Sequence, residues 1–197
     1  MESLLDFVEE NNFNVLRIPL AVDNILNNPT PGSINFAETA DLQGLNYFQV
    51  LDVLVEKAAA RGLLIMFDMH RLDSAVWPDD GLWYNWYTPE QHLIDAWQIV
   101  VQRYCGTWNV IATDLYIEPH GSSWGLDIDD TDWDAAATRI GGSSLETCPR
   151  LLIVIEGIDS SPGAIGQVSE VNSFWGENLQ GVRERPVALP INRIIYS

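Results

Sequence analysis

Apolar, β-branched runs alternate along this chain with stretches whose apolar residues recur every three or four positions. The runs NVLRIPL (14–20), LLIMFDMH (63–70), VIATDLYIE (110–118) and LLIVIEGI (151–158) predict strands, and NRIIYS (192–197) predicts a short last one. Residues 45–62 predict a helix with Leu51, Leu54, Val55 and Ala58 on one face and Gly62 as its stop. Residues 88–106 predict another, with Thr88 as N-cap, Pro89 as its first helical residue and Gln91 placed for a capping box. Residues 131–146 predict a weaker helix, because Gly141 and Gly142 fall inside it. A partial helix opens the chain, and a long irregular stretch precedes the final run.

Nearly continuous apolar strands separated by helices imply a parallel sheet covered on both faces. The polar residues gather where strands end: Arg17, Asp68 with His70, Glu118 with His120, and Glu156. The loops leaving the strands are long and aromatic, whereas those entering them are short. That asymmetry marks the functional face of a (β/α)8 barrel. A doubly wound sheet would collect residues there too, but no GxGxxG loop follows any strand. Five strands fall short of eight, and 197 residues fall short of the roughly 250 of a typical barrel. The expectation is an incomplete (β/α)8 TIM barrel, with residues 1–197 forming a partial domain whose sheet has two open apolar edges.

Composition narrows the partners. The formal net charge is −18, and Lys57 is the single lysine, which argues against nucleic acid and anionic membrane surfaces. No apolar segment is long enough to span a bilayer. The start, MESLLDFVEENN, is acidic and amphipathic and does not read as a signal peptide. Of eight tryptophans, several lie in loop-like sequence, where Trp83, Trp86 and Trp175 are either core plugs or platforms for a flat, neutral ligand. The two cysteines, Cys105 and Cys148, form no CxxC pair. Each falls between a helix and the next strand, so neighbouring strands would bring both to one end of the sheet. They are then a disulfide, which points to an oxidising compartment, or two buried thiols.

Glu118 closes an apolar run. Partial desolvation there would raise its pKa and suit it to hold a proton; the plainer role is tying down a loop. His92 lies inside a helix and reads as surface. His70 and His120 follow Asp68 and Glu118 by two positions, and two such pairs could converge on a metal, the reading of a metal-dependent hydrolase. Ser-His-Asp chemistry lacks a GxSxG elbow. Glu156, ending the next strand, is a candidate second carboxylate of a glycosidase pair.

The segments LRIPL, FDMHR, DLYIEPHG, LLIVIEG and WGENLQGV, in that order, resemble glycoside hydrolase family 5, in particular its cellulase-type endoglucanases. The stretch GSINFAETADLQGLNYFQVLDVLV is similar to the loop and helix after that family's second strand. The resemblance implies strands two to six of a barrel that hydrolyses β-1,4-glucans with retention, with strands one, seven and eight absent. It places the acid/base on Glu118, an arginine near the nucleophile on Arg17, a sugar-contacting histidine on His70 and a cleft-lining aromatic on Trp175. Glu156 falls where the family's glutamate is not the nucleophile, so the chain carries none. Ile117 replaces the family asparagine that contacts the sugar 2-hydroxyl. No cofactor or metal is expected, the partner is a β-glucan polysaccharide, and the parent protein is expected to be secreted. The other reading is a noncatalytic β-glucan-binding remnant using Trp83, Trp86 and Trp175.

Overall fold

A computed structural model describes residues 1–76, 81–168 and 173–197. Its elements are α1 (Glu2–Glu10), β1 (Val15–Ala21), α2 (Val22–Asn27), α3 (Tyr47–Ala60), β2 (Leu64–Arg71), α4 (Glu90–Tyr104), β3 (Val110–Asp114), β4 (Ser123–Trp124), α5 (Trp133–Thr147), β5 (Leu152–Ile155), β6 (Gly163–Ala164) and β7 (Ile194–Tyr196). Five strands pair in the order β1-β2-β3-β5-β7, every neighbour parallel. The expected rhythm of strand and helix is therefore present, and β1 and β7 are the edges. Val15 and Ile195, one on each edge strand, are exposed.

The core lies between the sheet and its helices. Ile65, Phe67 and Met69 are fully buried, as are Trp97 on α4 and Ile140 on α5. Buried indole N–H groups need acceptors. Trp97 Nε1 donates to the Leu115 carbonyl at 3.1 Å, and Trp133 Nε1 donates to the Glu156 carbonyl at 3.0 Å.

Three local expectations need correction. The strand predicted over 110–118 ends as regular structure at Asp114. Beyond it the backbone alternates sides: Leu115 N donates to Val154 O on β5, and Ile117 N to Met69 O on β2. The apolar run continues because both neighbours still hold it, while the regular ladder does not. The capping box of Thr88 and Gln91 does not form. Pro89, which has no side-chain acceptor, is the N-cap, so α4 has no side-chain cap; Asn85 Oδ1 takes the N–H groups of Tyr87 and Thr88, and Gln91 turns to Asp95. A capping box exists instead on α3, between Asn46 and Gln49. Finally, α5 runs unbroken through Gly141 and Gly142. A Cβ at Gly141 would lie 2.7 Å from Leu189 Cδ1 and 3.2 Å from Ile153 Cγ2, so the glycine lets the helix approach the sheet closely. No sequence pattern marks the short parallel pair β4-β6, because two residues per strand leave no period to detect.

Cys105 and Cys148 form a disulfide, with Cα atoms 5.6 Å apart. They end α4 and α5, at the end of the sheet where β3 and β5 begin.

Candidate active site

The parallel register carries acidic side chains to one end of the sheet. Asp68 on β2 pairs with Asp114 on β3, and Asp114 pairs with Val154, two residues before Glu156. Arg17 reaches across from β1. Its Nη2 lies 2.6 Å from Asp114 Oδ2, 2.7 Å from Glu156 Oε1 and 3.4 Å from Asp68 Oδ1. Asp68 uses its other oxygen, Oδ2, to contact His70 Nδ1 at 2.7 Å.

One guanidinium among three carboxylates leaves an excess of negative charge in a desolvated place. Burial pushes the Asp114 carboxyl up to about 7, with Arg17 pulling it down and Glu156 and Asp68 adding to the rise. Burial likewise raises Asp68 and Glu156 against the pull of Arg17. Burial opposes the charge on Arg17, but Asp114, Asp68 and Glu156 outweigh it and hold the guanidinium above its ordinary pKa.

Glu118 is half-buried, four residues beyond the end of β3, in a left-handed backbone conformation with φ 44°. Non-glycine residues pay for that region and occupy it where their surroundings enforce it. Here the Glu118 N–H donates to Glu156 Oε2 at 2.6 Å, and its carbonyl accepts from the His120 N–H at 2.6 Å. His120 Nδ1 faces the same carbonyl at 2.9 Å. Glu118, Glu156, Phe174, Trp175 and Glu177 line a cavity of about 540 Å³.

The loops after three strands meet beside it. The His120 ring stacks on Trp175 with centroids 3.9 Å apart and planes 14° from parallel. Below, Gly121 N donates to Gly81 O, and a Cβ at Gly81 would come within 2.6 Å of His120 Cδ2. Only glycine fits there.

The structure thus brings together Arg17, Asp68, His70, Glu118, His120, Glu156 and Trp175. Of the two acid-x-histidine pairs, Asp68 and His70 bond to each other, while His120 bonds the Glu118 main chain and gives its ring to Trp175. Among the described residues no group of three or more His, Cys, Asp or Glu is arranged to hold a metal ion. Trp83 is not a platform. It is 1% exposed, packs against Trp133 and donates Nε1 to Glu90 Oε2 at 2.7 Å, so it is a core plug. Trp86, by contrast, is 91% exposed, beside the exposed Tyr87. The Ile117 side chain is buried. Asp114 and Phe174 also belong to this region. A lone acid inside the apolar run VIATDLYI was the available signal for Asp114; nothing comparable marks Phe174.

Parallel strands that carry paired acids, an arginine and aromatics toward one end of the sheet have the arrangement of the functional face of a (β/α)8 barrel. The whole chain, residues 1–197, matches the family described as Cellulase (glycosyl hydrolase family 5), and it belongs to that family. It is 38% identical over 199 residues to an endoglucanase of Paenibacillus polymyxa, covering 100% of this chain and 49% of that protein. It is 37% identical over 189 residues to the major extracellular endoglucanase of Xanthomonas campestris pv. campestris, covering 94% of this chain and 37% of that protein. The chain therefore spans half or less of the length of these relatives. Among solved structures, the hyperthermophilic endocellulase of Pyrococcus horikoshii superposes with a TM-score of 0.92 at 31% identity, over 99% of this chain and 55% of that one. The catalytic domain of the Xanthomonas enzyme gives 0.90 at 30% identity, over 100% and 56%. Such structures are (β/α)8 barrels, of which this chain covers a part.

Proposed function

We propose that this chain supplies the acid/base side of a retaining endo-β-1,4-glucanase, acting on cellulose or a related β-glucan. The observation that carries the reading is Glu118, half-buried in the turn that follows the parallel strand β3 and facing a cavity walled by Trp175 and Phe174. In this reading Glu118 protonates the leaving glycosidic oxygen and then, as base, activates water. His70 and Arg17 contact the sugar and the reacting carboxylate, and Trp175 and Trp86 stack on glucose rings. Related Pyrococcus horikoshii endocellulase variants have been solved with cellotetraose, which supports this substrate class. The disulfide and the extracellular Xanthomonas relative support a secreted parent.

A retaining mechanism also needs a nucleophile about 5–5.5 Å from the acid. Glu156 is poorly suited, because Arg17 holds one of its oxygens and the Glu118 N–H holds the other. The nucleophile is therefore assigned to the part of the relatives' length outside these 197 residues. Ile117, with no polar atom to offer the sugar 2-hydroxyl, weakens transition-state binding further. The test is reducing-sugar release from a soluble cellulose derivative. The 197-residue chain is expected to release little. A chain extended to the relatives' length is expected to be active and to lose about 10²–10⁴-fold in Glu118→Gln. Turnover by the unextended chain that vanishes in Glu118→Gln or Glu156→Gln would overturn the assignment.

The exposure of Trp86 and Tyr87 favours a second reading, a β-glucan-binding domain without cleavage. Retention on cellulose that falls in Trp86→Ala, with no hydrolysis in the extended chain, would select it.

A further inference from the structure

We infer that Glu156 is a positioning residue: as an ionised carboxylate with two engaged oxygens, it holds the main chain of Glu118 in its left-handed turn and ties that turn to Arg17. The inference rests on the acid/base reading of Glu118, but it concerns a different residue and a main-chain contact.

Each oxygen of Glu156 faces one donor. Oε1 accepts from Arg17 Nη2 at 2.7 Å, and Oε2 accepts from the Glu118 N–H at 2.6 Å. The Glu156 backbone is itself fixed, because its carbonyl accepts from the buried Trp133 indole at 3.0 Å. Next to it, Gly157 lies so close to Asn178 that a Cβ would come within 2.7 Å of the Asn178 carbonyl oxygen. Gly176 closes the other side: a Cβ there would sit 2.8 Å from Glu156 Oε2 and 3.5 Å from Glu118 Cα. The carboxylate is thus clamped between β1, the turn after β3 and the loop carrying Trp175. A charge-assisted bond to a backbone N–H is among the stronger hydrogen bonds, and it offsets the cost of φ 44° at a residue with a side chain.

The chemistry makes a specific demand. Both partners are donors, so the group between them must present two acceptors. A carboxylate does; an amide cannot. In Glu156→Gln one orientation sets the NH2 group against Arg17, and the flipped one sets it against the Glu118 N–H. A near-isosteric change should therefore loosen Glu118 while leaving the volume of the core intact.

The experiment uses the 197-residue chain and reads the Glu118 amide by NMR. In the wild type a through-hydrogen-bond coupling between Glu118 N and the Glu156 carboxyl carbon is expected, with the amide proton shifted downfield and protected from exchange. In Glu156→Gln the coupling should vanish and exchange should quicken by about tenfold or more, while the Trp133 indole proton stays protected. In the double variant Arg17→Met with Glu156→Gln, the amide oxygen no longer has to serve Arg17, and protection at Glu118 should return. An absent coupling in the wild type, or a Glu118 amide unmoved by Glu156→Gln, would overturn the inference. The wild-type coupling decides it even if a variant does not fold. Glu118→Gln in the extended chain tests the acid/base reading separately. Unchanged hydrolysis there, with the coupling present, would remove the catalytic reading and leave the clamp standing.

Discussion

At the ends where β3 and β5 begin, Arg150 faces neutral backbone. Its guanidinium donates to the carbonyls of Cys105, Val110, Tyr104 and Thr107 at 2.5, 2.9, 3.2 and 2.6 Å, beside the Cys105–Cys148 disulfide. At the ends where the strands finish, Arg17 faces three carboxylates, two of them nearly inaccessible to water. The first arginine satisfies carbonyls that a turn would otherwise leave half-bonded. The second sits in an overcrowded acidic site, next to a backbone turn that a side chain resists. Buried oxygens Asp68 Oδ1 and Asp114 Oδ1 lack a hydrogen-bond partner among the described residues. On the proposed reading, stability is concentrated at one end of this sheet and chemistry at the other, the division expected of a barrel.

Three experiments probe that division. The largest effect should come from the stable end. Removing the disulfide by Cys105→Ser with Cys148→Ser opens a loop with a sequence separation of 43, worth about 4 kcal/mol in the chain-entropy model. Thermal unfolding should fall by roughly 10 °C, and a change of a degree or two would show that the clasp is incidental. Next is Arg150→Met, which strips four carbonyls of a charged donor and should cost about 2–3 kcal/mol by denaturant titration. A loss as small as that of an ordinary surface arginine would equalise the two ends.

The smallest effect belongs to the acidic end and depends on pH. Asp114 holds its proton in the folded chain up to about 7, whereas an unfolded aspartate loses it near 4. Between those values the folded state binds the extra proton, so this group's contribution to stability falls as pH rises. In Asp114→Asn that fall is absent. The variant should match the wild type near pH 4 and gain about 1–2 kcal/mol by pH 8. A constant difference across the range would mean that Asp114 does not carry the proton.

Much of this was readable beforehand, for identifiable reasons. Strand positions followed from apolar runs, since a sheet covered on both faces leaves little room for polar residues. The positions of His70, Glu118 and Glu156 followed from where those runs stop, whereas Arg17, expected at a strand end, is the third residue of β1 and its ladder runs on to Ala21. The cysteine pair followed from helix ends that parallel strands bring together. What stayed hidden depends on contacts between distant segments. Trp83 and Trp86 are three residues apart in one loop, yet one is plugged against Trp133 and the other is bare. Thr88 has the right neighbours for a cap, but α4 starts at Glu90 with Pro89 as its N-cap, and Asn85 holds the Thr88 N–H that Gln91 would have to reach. Gly141 looks like a helix breaker until Leu189 is seen against it. The link from Glu156 to the Glu118 N–H spans 38 residues and has no signature in either segment.

The meeting of Gly81, His120 and Trp175 bears on how such barrels can be altered. Loops on this face are commonly treated as separate inserts, exchangeable one at a time among related enzymes. Here a side chain at position 81 would push the imidazole, the imidazole supports the indole, and the Gly176 that follows the indole closes against Glu156. A graft replacing one of these loops alone would bring a clash or lose a support. The three segments are one cassette, and a successful chimera would have to carry them together.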